Sequence, residues 1–179
     1  MRRPLLTLAF LAALVPALGA QAAAPAKSSL GAEAIRGNWE TVTGYIIRAA
    51  EQVPEADYGF KPTPEVRSFG ELFGHVAGAQ DMFCALALGE PAPAEDAVEK
   101  AATGKAALVA ALRKSTENCN RAYRQADAAL AGDVQVFGMT RTRMGVLAMN
   151  AVHNGEHYGN IVTYLRIKGM VPPSSQRGQ

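Results

Sequence analysis

Four stretches of this chain carry apolar side chains at helical spacing, the period of a helix with one buried face, and in the first the steps of four and three alternate. In the first, about Leu30 to Val53, the stripe is Ile35, Trp39, Val42, Ile46, Ala49 and Val53, and Pro54 ends it. The second opens on Ser68-Phe69-Gly70-Glu71, a capping box in which serine and glutamate satisfy each other's backbone donors. It runs to about Leu88 with Phe69, Leu72, Phe73, Val76, Phe83 and Leu86 inward. The third covers about Lys105 to Asp127, with Leu108, Leu112, Cys119 and Tyr123 inward. The fourth spans about Thr142 to Lys168, where Gly169 suits a C-cap and Pro172-Pro173 forbid more helix. Pro91 and Pro93 open the link from Gly89 to Gly104, with room for one short helix after Pro93. No strand alternation competes with these helices. Such stripes are buried by packing helix on helix, so the pattern predicts an all-α four-helix bundle.

The N-terminus has a different logic. Met1-Arg2-Arg3 is a positive start, Leu5 to Leu18 is apolar but short for a membrane span, and Ala20-Gln21-Ala22 and Ala22-Ala23-Ala24 both fit a small-residue cleavage site. Residues 1–24 therefore read as a cleavable secretory signal peptide, 25–173 as the bundle domain and 174–179 as a disordered tail. The expected location is the periplasm or the exterior, with no stable membrane insertion after cleavage. The full chain carries 18 basic and 16 acidic residues, so losing Arg2 and Arg3 leaves 16 against 16, a neutral protein. Nucleic-acid binding rests on clustered Lys and Arg, and with no basic run here nucleic acid is excluded as a partner. A homodimer remains compatible with this composition. The two cysteines, Cys84 and Cys119, can pair as a disulfide in an oxidising compartment or stay as two buried thiols; export favours the bond.

The chemistry concentrates on histidine. The chain has three. His153 and His157 are four apart, hence on one helix face one turn from each other. They interrupt the inward stripe Val146, Met149, His153, His157, Ile161 and Tyr164. A polar group in a dry core needs a partner, and one divalent metal can serve both rings. His75, two turns into the second helix, supplies a third nitrogen, and three nitrogens plus water make an open metal site. The alternative is three hydrogen-bonded core histidines. The run His153-Asn154-Gly155-Glu156-His157 also spells the inverted zinc-peptidase signature. That chemistry needs a downstream acidic ligand, and no Asp or Glu follows Glu156. Glu71, one turn before His75, can orient that ring as well as cap its helix; Glu156 and Asn160 can line a pocket. Cys84 lies on the opposite helix face from His75 and is not a ligand.

The segments "SFGELFGHVAGAQ" and "HNGEHYGNIVTYLRIKGMVPPSS", with the Trp39 helix, resemble the DinB-like superfamily of four-helix bundles, which includes the YfiT-like thiol transferases. The resemblance implies a divalent metal, often zinc or nickel, held by His75, His153 and His157; because imidazole suits several metals, iron or manganese stay open as well. It also implies activities such as thiol transfer to electrophiles or maleylpyruvate isomerisation. An export signal departs from the thiol-transferring members, whose cosubstrates are cytosolic. The expectation is an exported metal-dependent hydrolase or transferase acting on a small molecule. The alternatives are a bundle that binds metal or ligand without turnover, and a structural bundle without metal.

Overall fold

The computed structural model describes residues 30–176. The signal peptide read in 1–24 lies outside the described residues, as do 177–179. Four long helices, α1 (Leu30–Gln52), α2 (Phe69–Leu88), α4 (Lys105–Tyr123) and α6 (Arg143–Ile167), enclose the core. Between them come the short helices α3 (Ala97–Ala101) and α5 (Asp127–Leu130) and a hairpin, β1 (Asp133–Val136) and β2 (Met139–Thr142). Around the bundle α1 neighbours α4 and α6, and α2 neighbours the same two, so α1 and α2 face each other across the diagonal.

The helix ends follow their local chemistry. The Ser68 hydroxyl accepts from Glu71 N, and the Glu71 carboxylate accepts from Ser68 N at 2.6 Å, which sets where α2 begins. Thr142 caps α6 by accepting from Gly145 N at 3.0 Å. Gly169, at φ 74°, turns the chain out after α6, and Met170 N then reaches Leu165 O at 2.8 Å. The third long helix stops four residues short of the expected Asp127. There the Asp127 carboxylate instead accepts the free backbone N–H of Ala32 at 3.1 Å, near the start of α1. That contact satisfies an orphan donor at a helix N-terminus.

Three further expectations are corrected. The hairpin was not expected, because Val134 and Val136 supply only two alternating positions. Of the proposed tail, 174–176 are placed: Pro173–Ser175 form a 3-10 turn, and Ser174 N donates to the Tyr158 hydroxyl at 2.9 Å. The buried stripe of α6 is also rotated from the predicted one. Its deepest residues are Val146, Leu147, Asn150, Asn154, Ile161 and Leu165, which leaves the histidines on the flank that faces α2.

Polar residues tie the core together. Gln80 on α2 is fully buried and touches all three other long helices. Its Oε1 accepts from Trp39 Nε1 at 2.8 Å and Asn154 Nδ2 at 3.2 Å, and its Nε2 donates to Ser115 Oγ at 3.0 Å. Trp39 stacks on Tyr123 at 4.3 Å between centroids. Removing one end of a buried hydrogen bond strands the other at about 1–3 kcal/mol per group. Gln80→Leu, which strands the Trp39 indole N–H while Ser115 Oγ keeps its bond to Leu112 O at 3.0 Å, is therefore expected to destabilise by about 1–3 kcal/mol. Urea unfolding of variant and parent, compared at unchanged slope, measures it.

Candidate metal centre

The two caps fix the register of the helices that carry the histidines. The cap at Ser68 sets His75 two turns into α2; the cap at Thr142 sets His153 and His157 on the α2 side of α6. Because α2 and α6 pack directly, the three rings meet. His75 Nε2 lies 3.1 Å from His153 Nε2, which lies 3.0 Å from His157 Nε2. Ligand nitrogens of all three fall within 4.8 Å of one another. His75 and His157 are buried, and His153 is half-buried.

Electrostatics keep these rings neutral. Burial pushes His153 down to about 3, helped by repulsion from His157 and His75. Burial, then Arg67 and His157, push His75 down to about 4. His157 is lowered by burial, against an upward pull from Glu156. A neutral imidazole carries one N–H and one lone pair. The Nδ1 atoms of all three are buried without a hydrogen-bond partner in the protein. The three Nε2 atoms crowd into one space, and which of them donates and which accepts depends on the tautomer of each ring. One divalent cation would satisfy all three at once, so the three-histidine site can hold a metal ion.

Two carboxylates that sequence reasoning passed over stand beside this cluster. Glu99 on α3 places Oε2 at 3.5 Å from His75 Nδ1, while its Oε1 is held by Arg67 Nε at 3.0 Å. It stands closest to the nitrogen that Glu71 was a candidate to orient, though without a hydrogen bond to it; the Glu71 carboxylate is occupied by the cap. Glu95, just before α3, places Oε1 at 3.9 Å from His75 Nε2 and 3.8 Å from His153 Nε2. Glycines on α2 allow this approach. A Cβ on Gly74 would come within 2.8 Å of the Glu99 Cα, and one on Gly78 would overlap the Glu95 carbonyl oxygen. The signals in the sequence were the Gly70, Gly74, Gly78 repeat and the four-residue spacing of Glu95 and Glu99.

That dependence gives a prediction. Gly78→Ala must push the segment around Glu95 off α2. Loss of outer carboxylate support lowers metal affinity about 10–100-fold, read by competition with a fluorescent chelator. Gly155→Ala is the control: it lies on α6 between two of the histidines with open space at its Cβ, and its affinity should match the parent's.

Two cavities border the cluster. A polar one of about 620 Å³ is lined by Arg67, Glu71, Glu99, Glu156, His157 and Asn160 among others. An apolar one of about 400 Å³ reaches His153 from the hairpin side. Glu156 borders both. The sequence candidates Glu71, Glu156 and Asn160 thus line the polar cavity, and none of the three is the carboxylate nearest the ring nitrogens. Cys84 and Cys119 lie away from this site, joined as a disulfide in the other half of the core.

A helical bundle with three convergent imidazoles between two of its long helices defines a class of protein. The chain belongs to the DinB superfamily, whose model matches residues 38–161. No curated protein matches it. Among solved structures, a DinB-like protein of Bacillus subtilis is similar at 20% identity and TM-score 0.65, over 81% of this chain and 99% of that one. A DinB-like protein of Bacillus cereus is similar at 17% identity and TM-score 0.68, over 79% and 95%. A mutant of the mycothiol-dependent maleylpyruvate isomerase is similar at 19% identity and TM-score 0.62, over 73% of this chain but 59% of the other. At these identities the likeness establishes the fold.

Proposed function

We propose that this protein is an exported, metal-dependent hydrolase or transferase acting on a small molecule at the three-histidine centre. The observation that carries the reading is the meeting of three neutral imidazoles from α2 and α6 beside two cavities. His75, His153 and His157 would hold the ion. Imidazole suits zinc and nickel, and also iron or manganese. When bound, such an ion supplies Lewis-acid polarisation and lowers the pKa of a coordinated group. The chain's own residues do the rest. Glu99 stands where it can orient the His75 ring, Arg67 holds Glu99, and Glu95 presents an oxygen on the side shared by His75 and His153, where it can accept a proton from a bound molecule. The isomerase among the fold neighbours supports an enzymatic reading, since that protein is a mycothiol-dependent enzyme acting on maleylpyruvate.

Export is supported by the leader-like residues 1–24 and by the Cys84–Cys119 disulfide, a bond that persists in oxidising compartments. Mass spectrometry of the protein from the periplasm is expected to show cleavage after Ala22 or Ala24; an intact leader would sink that part. For the activity, metal-loaded and metal-stripped protein are compared on activated esters and on electrophiles offered with low-molecular-weight thiols. Turnover that disappears with the metal supports an enzyme. Bound metal with no turnover on either panel moves the assignment to a metal-binding bundle without catalysis.

A further inference from the structure

Phe137 has φ 49°, and among the described residues it is the one non-glycine with positive φ. With Gly138 at φ 73° it makes the two-residue turn between β1 and β2. Turns with two positive φ values favour Asn, Asp or Gly first, because a side chain with a bulky Cβ substituent is strained there. Burial does not offset that strain, since Phe137 is 57% exposed. A strained, exposed aromatic is a feature for which function is the natural explanation.

Its surroundings say which function. Phe137 stands edge-on to Phe83 at 5.9 Å, and Phe83 stands edge-on to His153 at 5.7 Å. With Met149 and Val152, which is 70% exposed, these rings line the apolar cavity of about 400 Å³; its polar lining is His153, Glu95 and Glu156. That volume lies in the range of small-molecule sites, which are mostly apolar with a few polar groups placed at one end. We infer that this cavity is the subsite for the hydrocarbon arm, an aromatic ring or branched chain, of a small molecule whose polar head lies at the histidine cluster. The inference rests on the proposed metal centre and adds the substrate class. A small molecule fits the cavity because His153, one of the three histidines of the proposed centre, is part of its lining.

Two hydroxamates test this on the full, metal-loaded chain, because the hydroxamate head chelates divalent metals and only the arm differs. Calorimetry compares acetohydroxamate with benzohydroxamate. Burying the phenyl arm is expected to make the second bind roughly 10–100-fold tighter to the parent. Phe137→Asn gives the turn a residue it favours and removes the ring. It should unfold at a higher temperature than the parent, yet lose most of the phenyl preference. A residue serving only to hold the hairpin would instead unfold earlier when replaced. Metal binding and acetohydroxamate binding with no phenyl preference in the parent overturn the subsite and leave the metal centre standing. A full preference in Phe137→Asn overturns the role of the ring. Absence of bound metal overturns both readings together. A parent dimer that Phe137→Asn converts to monomer marks the surface as a contact between copies and overturns the subsite.

Discussion

His153→Ala is expected to empty the centre. Of the three rings, His153 is the shared member, 3.1 Å from His75 Nε2 and 3.0 Å from His157 Nε2. Without it, two donors remain, His75 on α2 and His157 on α6, with ring centroids 4.7 Å apart, one short of the three that make an open site. Binding of structural zinc is worth about 10–16 kcal/mol over its full donor set, so one donor contributes roughly 3 kcal/mol or more, at least about a hundredfold in affinity. After dialysis against a mild chelator, elemental analysis should find about one ion per parent chain and almost none in the variant. The fold should survive, because the adjacent Asn154 carries the core contacts on that turn, donating to Thr43 Oγ1 at 3.0 Å and to Gln80 Oε1 at 3.2 Å. Circular dichroism therefore separates metal loss from unfolding. Equal metal in both proteins would mean that these histidines are merely packed in the core.

The histidines were legible because each lies on a helix whose period and caps fix its direction. Ser68 and Glu71 set the register of His75, and four-residue spacing puts His153 beside His157. Glu95 and Glu99 were not legible in the same way. They sit after Pro91 and Pro93 in a connection with no period, and their placement depends on Gly74 and Gly78, whose meaning appears only when another segment lies against them. The α2 stripe misled for the same reason. Residues 72–80 are buried on every side, because the connection through α3 covers the face that a helix in a plain bundle would leave to solvent. Asn150, Asn154 and Gln80 were obscured by their polarity. A hydrophobic period assigns such residues to the surface, whereas here each is fully buried within a hydrogen-bonded network. The hairpin escaped because Phe137 occupies the turn position where Asn would have announced it.

Loss of the Cys84–Cys119 bond is expected to lower stability by about 4 kcal/mol in the chain-entropy account, for a loop spanning 35 residues. The bond joins α2 to α4 with Cα atoms 5.1 Å apart, and the loop it closes contains Glu95 and Glu99. In the unfolded chain, cutting it frees the whole connection, so the folded state loses its relative advantage even where no native contact changes. Both sulfurs are buried, and the Asn150 amide lies 3.7 and 3.8 Å from them. A reductant therefore reaches the bond only when the bundle opens, and reduction of the folded protein should be slow unless denaturant is present. The clean comparison uses residues 25–179 made in a reducing cytosol and the same chain recovered from an oxidising periplasm. Urea unfolding should place the periplasmic form about 4 kcal/mol higher. Thiol titration under denaturing conditions should find two reactive cysteines in the cytosolic form and none in the other. Because those carboxylates lie inside the closed loop, the reduced form should also release metal at a lower urea concentration. Equal stability of forms that differ in thiol content would show that the bond adds nothing to this fold, and would remove its support for an oxidising location.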